Sequence, residues 1–438
     1  MVGLSSRRNK NQSVVYGALV FKQRLTVQGD VALSHLLPLF RNKHDLSINK
    51  KFLIGPNRNL ILNNLKFGFR AEWAPVIPPV NSSPHNFFKG ELAVTKARAR
   101  FKQEIQKGRM LGGVGWSLKR VEKFLKQKVH VIPCGAVPKK NDPCGRVIHN
   151  YSYPNKHSNS INSVLTNTSV EYITFKERVA LLAHVDWFLK VDLKNGYRQL
   201  PVHPSDWHTQ IYSLGPNEFY IDIAMPFGKA NSARVFCLWT SAWCESFKFH
   251  FHNRRPFAIA LAVYMDDFFG GPIRTGSLVK DFRHAQKMFE DLIETGKITN
   301  TLMNVKKCFK PARSMDILGM IFDSKKKACF LSETKAKKYK LRLVAIRKTG
   351  AATSKELQKL VGYLVYAAWV MPFGRPFISQ ISNIINVEKI HKNVRLDSAA
   401  LAPCDVWLLL FRRKSRVIIR LHFGKITSTE KRMVHRRI

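Results

Sequence analysis

The stretch Leu261-Ala-Val-Tyr-Met-Asp-Asp-Phe-Phe-Gly270 constrains this chain more than any other. Apolar residues lead into two adjacent carboxylates, and two phenylalanines lead away to Gly270 and Gly271. That pattern predicts two buried strands joined by a tight turn, with Asp266 and Asp267 on the turn. Neighbouring carboxylates repel, so burying both costs free energy unless cations neutralise them. An isolated Asp-Asp pair is more often a solvated turn. The apolar flanks move the reading towards a divalent metal, and Mg²⁺ takes one or two carboxylates together with substrate phosphate oxygens. Such a site needs a third carboxylate.

Phe188-Leu-Lys-Val-Asp-Leu193 supplies one at the end of a short apolar strand. Asp186 and Asp222 compete with Asp192 for the role. Asp186 lies beside Trp187 in a less apolar setting, so Asp192 is preferred. Asp192 and Asp266 are 74 positions apart, which leaves room for a helix between two strands of one sheet. Two metal ions held by such carboxylates stabilise both the attacking and the leaving oxygen of a phosphoryl transfer.

Charge points to the same chemistry. With 73 Lys and Arg against 29 Asp and Glu, the net charge is +44, which favours a polyanionic partner, nucleic acid first. At 45% hydrophobic and 11% aromatic, the 438 residues can bury a real core in two or three structural units. No apolar run approaches the length of a membrane span, and Met1 to Gln12 has no apolar signal region. The seven cysteines contain no Cys-x-x-Cys pair, which argues against a disulfide framework and a structural zinc site. An intracellular protein of cytoplasm or nucleus, neither secreted nor membrane-bound, is expected.

In chain order, Met1 to about Arg70 is a basic extension with only Asp30 and Asp45 as acids, and Pro75 to Pro84 reads as a linker. Glu91 to Gly108 and Trp116 to Gln127 read as helices, with Gly112, Gly113 and Gly115 breaking the chain between them. Val129 to His149 reads as two strands around a polar turn, flanked by Lys139, Lys140 and Arg146, whose charges suit phosphate oxygens. Asn231 opens a helix to about Phe249, on which Trp239 and Trp243 read as core. His203 and His208 read as surface residues. A helix follows from Leu278 to about Gly296, then a single strand over Ile317–Phe322. Beyond Ser332 the pattern is helical, with Ser354 as an N-cap candidate and Pro372 and Pro376 as terminators.

The order of these motifs resembles a reverse transcriptase. Val137-Pro-Lys-Lys and Gly145-Arg-Val-Ile resemble the fingers hairpin, and Lys190-Val-Asp-Leu-Lys-Asn-Gly-Tyr-Arg-Gln199 the first catalytic motif. Met225-Pro-Phe-Gly-Lys-Ala-Asn-Ser-Ala-Arg-Val-Phe236 resembles the second, and Tyr264-Met-Asp-Asp267 matches the third. Asn304-Val-Lys-Lys-Cys308 resembles the fourth, and Leu318-Gly319 the primer grip. Val361 to Phe377 is similar to the thumb side of DIRS-like retrotransposons. One departure is that His149 and Asn150 follow the fingers arginine strand, where the family usually has an aspartate.

The resemblance implies an α+β fold: right-hand fingers and palm with an antiparallel sheet, and a helical thumb. The expected layout is a basic extension at 1–89, fingers and palm at 90–328, thumb and connection at 329–395, and a basic segment at 396–438. It also implies RNA-directed DNA polymerisation from dNTPs on a primed RNA or DNA template, with two Mg²⁺ ions, Mn²⁺ being the alternative. Asp192, Asp266 and Asp267 would bind metal, and Lys307 would protonate the leaving group. Lys139, Lys140 and Arg146 would hold the triphosphate, Tyr197 would exclude the ribose 2′-hydroxyl, and Phe227 and Gly228 would complete the substrate side. The other readings are a decayed retroelement product that only grips nucleic acid, and an RNA-dependent RNA polymerase, which Tyr197 opposes.

Overall fold

Phe188, Leu189 and Val191 are fully buried, which is why Phe188–Asp192 reads as an almost continuous apolar run. It is an inner strand of a four-stranded antiparallel sheet in a computed structural model that describes residues 40, 44–73, 84–139, 142–154, 160–166, 168–385 and 393–412. The sheet order is Ile259–Tyr264, Asp267–Pro272, Phe188–Asp192, Phe309–Ala312. Gly270 and Gly271 are there because the backbones approach closely. A Cβ on Gly270 would stand 1.9 Å from the Ala260 carbonyl oxygen, and one on Gly271 would stand 2.2 Å from that of Trp187.

The described residues divide into two compact units, one drawn from Met1–Thr168 and Tyr197–Val235, the other from Ser169–Gly196 and Phe236–Ile438. The second unit holds the four-stranded sheet. On the Ser232–Arg254 helix, Trp239, Trp243, Phe247 and Phe251 recur every four residues and are fully buried, with the Trp243 ring edge-on to Phe268 at 5.2 Å. The tryptophans are core, as their spacing predicts. A second sheet follows, Ser314–Ile317, Met320–Asp323 and Ala328–Leu331. It corrects the single strand expected over Ile317–Phe322: Leu318 and Gly319 adopt left-handed φ of 53° and 80° and turn the chain back. The helices Glu333–Thr349, Ser354–Ala367, Pro376–Asn383 and Ser398–Arg412 share one core with both sheets, through Phe188, Phe269, Phe322, Leu343, Leu360 and Trp407 among others. The cap of the second of these is Thr353, one residue before the expected Ser354, because Thr353 and Glu356 bond each other's backbone reciprocally.

In the first unit, Met110–Val114, Glu218–Asp222 and Ile211–Gly215 form an antiparallel sheet, and Cys134–Lys139 pairs with Asp142–His149 as a hairpin. Gly112 and Gly113 therefore lie inside a strand and do not break the chain. Gly112 has φ 92°, and a Cβ there would meet the Phe219 carbonyl oxygen at 2.3 Å. Phe101 on the Glu91–Gln106 helix packs with Met110, Ile132, Tyr151, Tyr212 and Tyr220 in the core. Part of the basic extension is ordered as helices Leu46–Phe52 and Arg58–Phe67. Residues 1–39, most of the Pro75–Pro84 linker, the tail from 413, Lys140 and the Asn141 turn lie outside the described residues.

His203 is not a surface residue, and His208 is half-buried. His203 is buried, with Nδ1 bonded to Ser205, and His208 Nδ1 lies 2.7 Å from the Ser205 carbonyl oxygen. His203 caps the short 3₁₀ helix Pro204–Thr209, accepting from the Ser205 amide, and His208 lies half-buried in its last turn. Among the described residues, no helix is long and apolar enough to cross a membrane.

Candidate active site

Pairing register brings the acidic residues together. Tyr264 pairs with Asp267, leaving Met265 and Asp266 as a two-residue hairpin loop, and Asp267 pairs in turn with Asp192 on the next strand. Asp266 is thus on the turn as expected, whereas Asp267 is the first residue of the returning strand. Met265 takes a left-handed φ of 55°, a conformation that costs a residue with a Cβ about 1–2 kcal/mol. Stored strain of this kind concentrates at functional sites. The Leu193 amide donates to the Asp266 carbonyl oxygen at 2.9 Å, which fixes the loop over the end of the Asp192 strand.

The three carboxylates differ in their partners. Asp192 is 6% exposed, accepts from Asn304 Nδ2 at 3.1 Å, and has Lys307 Nζ at 3.5 Å from Oδ1. The Asn304 amide also donates to the Asp192 carbonyl oxygen at 2.7 Å, so the Asn304–Lys307 turn is clamped to this aspartate. Asp267 is paired with Lys190 at 3.0 Å. Asp266 makes no ion pair among the described residues, and its carboxyl is held above the usual range by burial first, then by the charges of Asp267 and Asp192. That deficit of positive charge fits a hard cation. No three His, Cys, Asp or Glu side chains form a ready-made cage among the described residues, so a bound ion would draw further oxygens from water or substrate. Lys190 and Asn304 are site residues that sequence reasoning passed over. Lys190 was visible as the one basic residue in the Phe188–Asp192 strand.

The first unit carries the other expected residues. Tyr197 is 9% exposed and stacks on Phe227, with ring centroids 4.8 Å apart, while Phe227 itself is 56% exposed. Gly228 has φ 94°, and a Cβ there would stand 2.7 Å from the His149 carbonyl oxygen, so only glycine fits at this position. Next to Tyr197, the Arg198 guanidinium is buried, donates to both Asp222 oxygens at 2.7 Å, and reaches Glu104 at 3.2 Å. Asp222, a competitor for the catalytic role, is spent on this pair. Arg146 is exposed on the hairpin, Lys139 ends its first strand, and Lys140 lies outside the described residues.

Residues 101–322 match the family model described as reverse transcriptase (RNA-dependent DNA polymerase), which spans half of the chain. The chain belongs to the reverse transcriptase family. An RNA-directed DNA polymerase homolog of Oenothera berteroana is 30% identical over 111 residues, covering 25% of this chain and 70% of the relative. The fold is similar to that of the foamy viral protease-reverse transcriptase. The form called dRH, solved with double-stranded DNA, superposes with TM-score 0.55 at 14% identity over 84% of this chain and 60% of that one. The same protein solved with an RNA/DNA hybrid gives 0.51, again at 14% identity, over 84% of this chain and 46% of the other. The chain thus matches about 60% of the first viral structure's length. As a reverse transcriptase fold, it has the mixed helices and antiparallel sheets expected. The family match ends at residue 322, so the helices from Glu333 onwards lie outside it.

Proposed function

We propose that this chain is an RNA-directed DNA polymerase of a retroelement, extending a primer 3′-hydroxyl with dNTPs on an RNA or DNA template. The observation that carries the reading is the register that sets Asp192 opposite Asp267, with the Asp266 carboxyl, which makes no ion pair among the described residues, on the adjoining loop. Asp192 and Asp266 would hold two divalent ions, with Asp267 assisting, and such ions stabilise the attacking and leaving oxygens of phosphoryl transfer. Lys307, beside Asp192 on the turn that Asn304 clamps, would give a proton to the departing pyrophosphate. Lys190 keeps Asp267 oriented. Lys139, Lys140 and Arg146 are assigned to the triphosphate and Tyr197 to the sugar, with Phe227 and Gly228 supporting it. The layout into fingers and palm to about residue 328 and thumb to about 395 is part of the same proposal, as is the DIRS-like placement.

Primer extension on RNA and DNA templates, with and without Mg²⁺, tests the reading. Asp266→Ala should abolish extension and leave template binding largely intact. A wild type that binds primed template but never extends it would point to a decayed, binding-only protein. Tyr197→Val should raise ribonucleotide use relative to deoxynucleotide use, since overpacking of about 1–3 kcal/mol would be relieved. Equal use of both sugars by wild type would refute the gate.

A further inference from the structure

The Tyr197–Phe227 ring pair is only as selective as it is immobile, and one side chain outside every motif above holds its loop. Asn162 lies in the short 3₁₀ turn Ile161–Val164, anchored by fully buried Ile161 and by a reciprocal Ser160–Ser163 capping box. Its amide is bonded on both sides. Nδ2 donates to the Gly228 carbonyl oxygen at 3.0 Å and to Ser152 Oγ at 2.9 Å, and Oδ1 accepts from the Ala230 amide at 2.8 Å. The orientation of the amide follows from its partners, because a carbonyl can only accept and a backbone amide can only donate. The Asn162 backbone amide also donates to the Tyr151 carbonyl oxygen at 3.0 Å. One side chain thus spans the backbone on both sides of Lys229, directly after Phe227, in the loop that carries the exposed ring.

We propose that Asn162 is a positioning residue for sugar selection: it clamps the Phe227–Ala230 loop so that the Phe227 ring backs Tyr197 at fixed separation. The proposal rests on the polymerase reading and on Tyr197 as the sugar gate. Loosening the loop lets Phe227 swing and Tyr197 yield, so the larger ribonucleotide gains more than the deoxynucleotide. A residue needed only for folding would depress both alike.

The test is single-nucleotide extension by the full chain on a primed template, with matched dNTP and rNTP, for wild type, Asn162→Ala, Asn162→Asp and Tyr197→Val. Asn162→Asp keeps the shape and the acceptor for Ala230 but sets a carboxylate against the Gly228 carbonyl, so it serves if the alanine variant folds poorly. Both Asn162 variants should raise the rNTP-to-dNTP ratio of kcat/KM about fivefold, as loss of a hydrogen bond of about 1 kcal/mol implies. kcat for dNTP should change by less than about twofold, well below that shift. A changed ratio in Tyr197→Val with no change in either folded Asn162 variant overturns the clamp and spares the gate. If no variant moves the ratio, or wild type extends no primer, the underlying reading fails and the clamp falls with it.

Discussion

At the scale of single residues, identity and environment part company most clearly at Lys229, where a lysine follows Pro-Phe-Gly. It is 5% exposed, lies over the Trp73 ring at 4.9 Å, and donates to Thr209 Oγ1 at 3.3 Å and Gln210 Oε1 at 3.4 Å. Burial lowers its pKa to about 8, with Asp206 and Asp222 opposing the shift. An unfolded lysine titrates near 10.4. Between pH 8 and about 10.4 the unfolded chain therefore binds more protons than the folded one, and stability contributed by this group rises with pH. Below pH 8 both states are charged and the full burial penalty applies. Lys229→Met should raise the thermal midpoint at pH 7 and flatten the rise between pH 8 and 10. An unchanged pH profile would mean that this ammonium is not buried in solution. The sequence shows a lysine in this motif, but only the enclosing Trp73, Thr209 and Gln210 reveal its cost. The acidic residues behaved differently: Asp266 and Asp267 were legible because their flanks are apolar. Asp222 looked equivalent until Arg198, 24 positions earlier, proved to hold it.

At the scale of elements, strand register does most of the work at the site. Asp192 stands opposite Asp267, with Asp266 on the adjoining loop, because one hairpin loop is two residues long and one antiparallel pairing starts at Asp192. A shift of one residue would turn every one of those side chains to the other face. Gly270 protects that register. Gly270→Ala would put a Cβ 1.9 Å from the Ala260 carbonyl oxygen, forcing the Ile259–Tyr264 strand away. It should lower stability by about 1–3 kcal/mol and remove polymerase activity. Thr353→Ala, by contrast, removes a capping box worth about 1 kcal/mol and should leave extension rates untouched. Melting curves and extension rates measured on both variants separate the two expectations. Gly270 retaining full activity as alanine would show that the register tolerates the push. The Ser232–Arg254 helix was legible from spacing, through Trp239 and Trp243, whereas Leu46–Phe52, Arg58–Phe67 and Phe175–Leu182 were not. The Gly112 strand and the Leu318–Gly319 turn were not, because glycine marks a break and a close cross-strand approach equally well.

At the scale of the whole molecule, the net charge of +44 predicts binding governed by counterion release. Affinity for primed template should fall by orders of magnitude between roughly 50 and 200 mM salt. A binding constant measured by fluorescence anisotropy that barely moved across that range would show that the basic residues serve another purpose. The foamy viral structures similar in fold were solved with double-stranded DNA and with an RNA/DNA hybrid. From the sequence alone, the order of motifs carried the family and with it the α+β class, and local patterns of apolar residues around charges marked the strand ending in Asp192 and the hairpin carrying Asp266 and Asp267. What only the tertiary structure decided is which groups neutralise one another. Lys190 with Asp267, Asn304 with Asp192 and Arg198 with Asp222 lie 77, 112 and 24 positions apart. Such pairings depend on chain reversal and strand register rather than on local composition, so no window of sequence contains them.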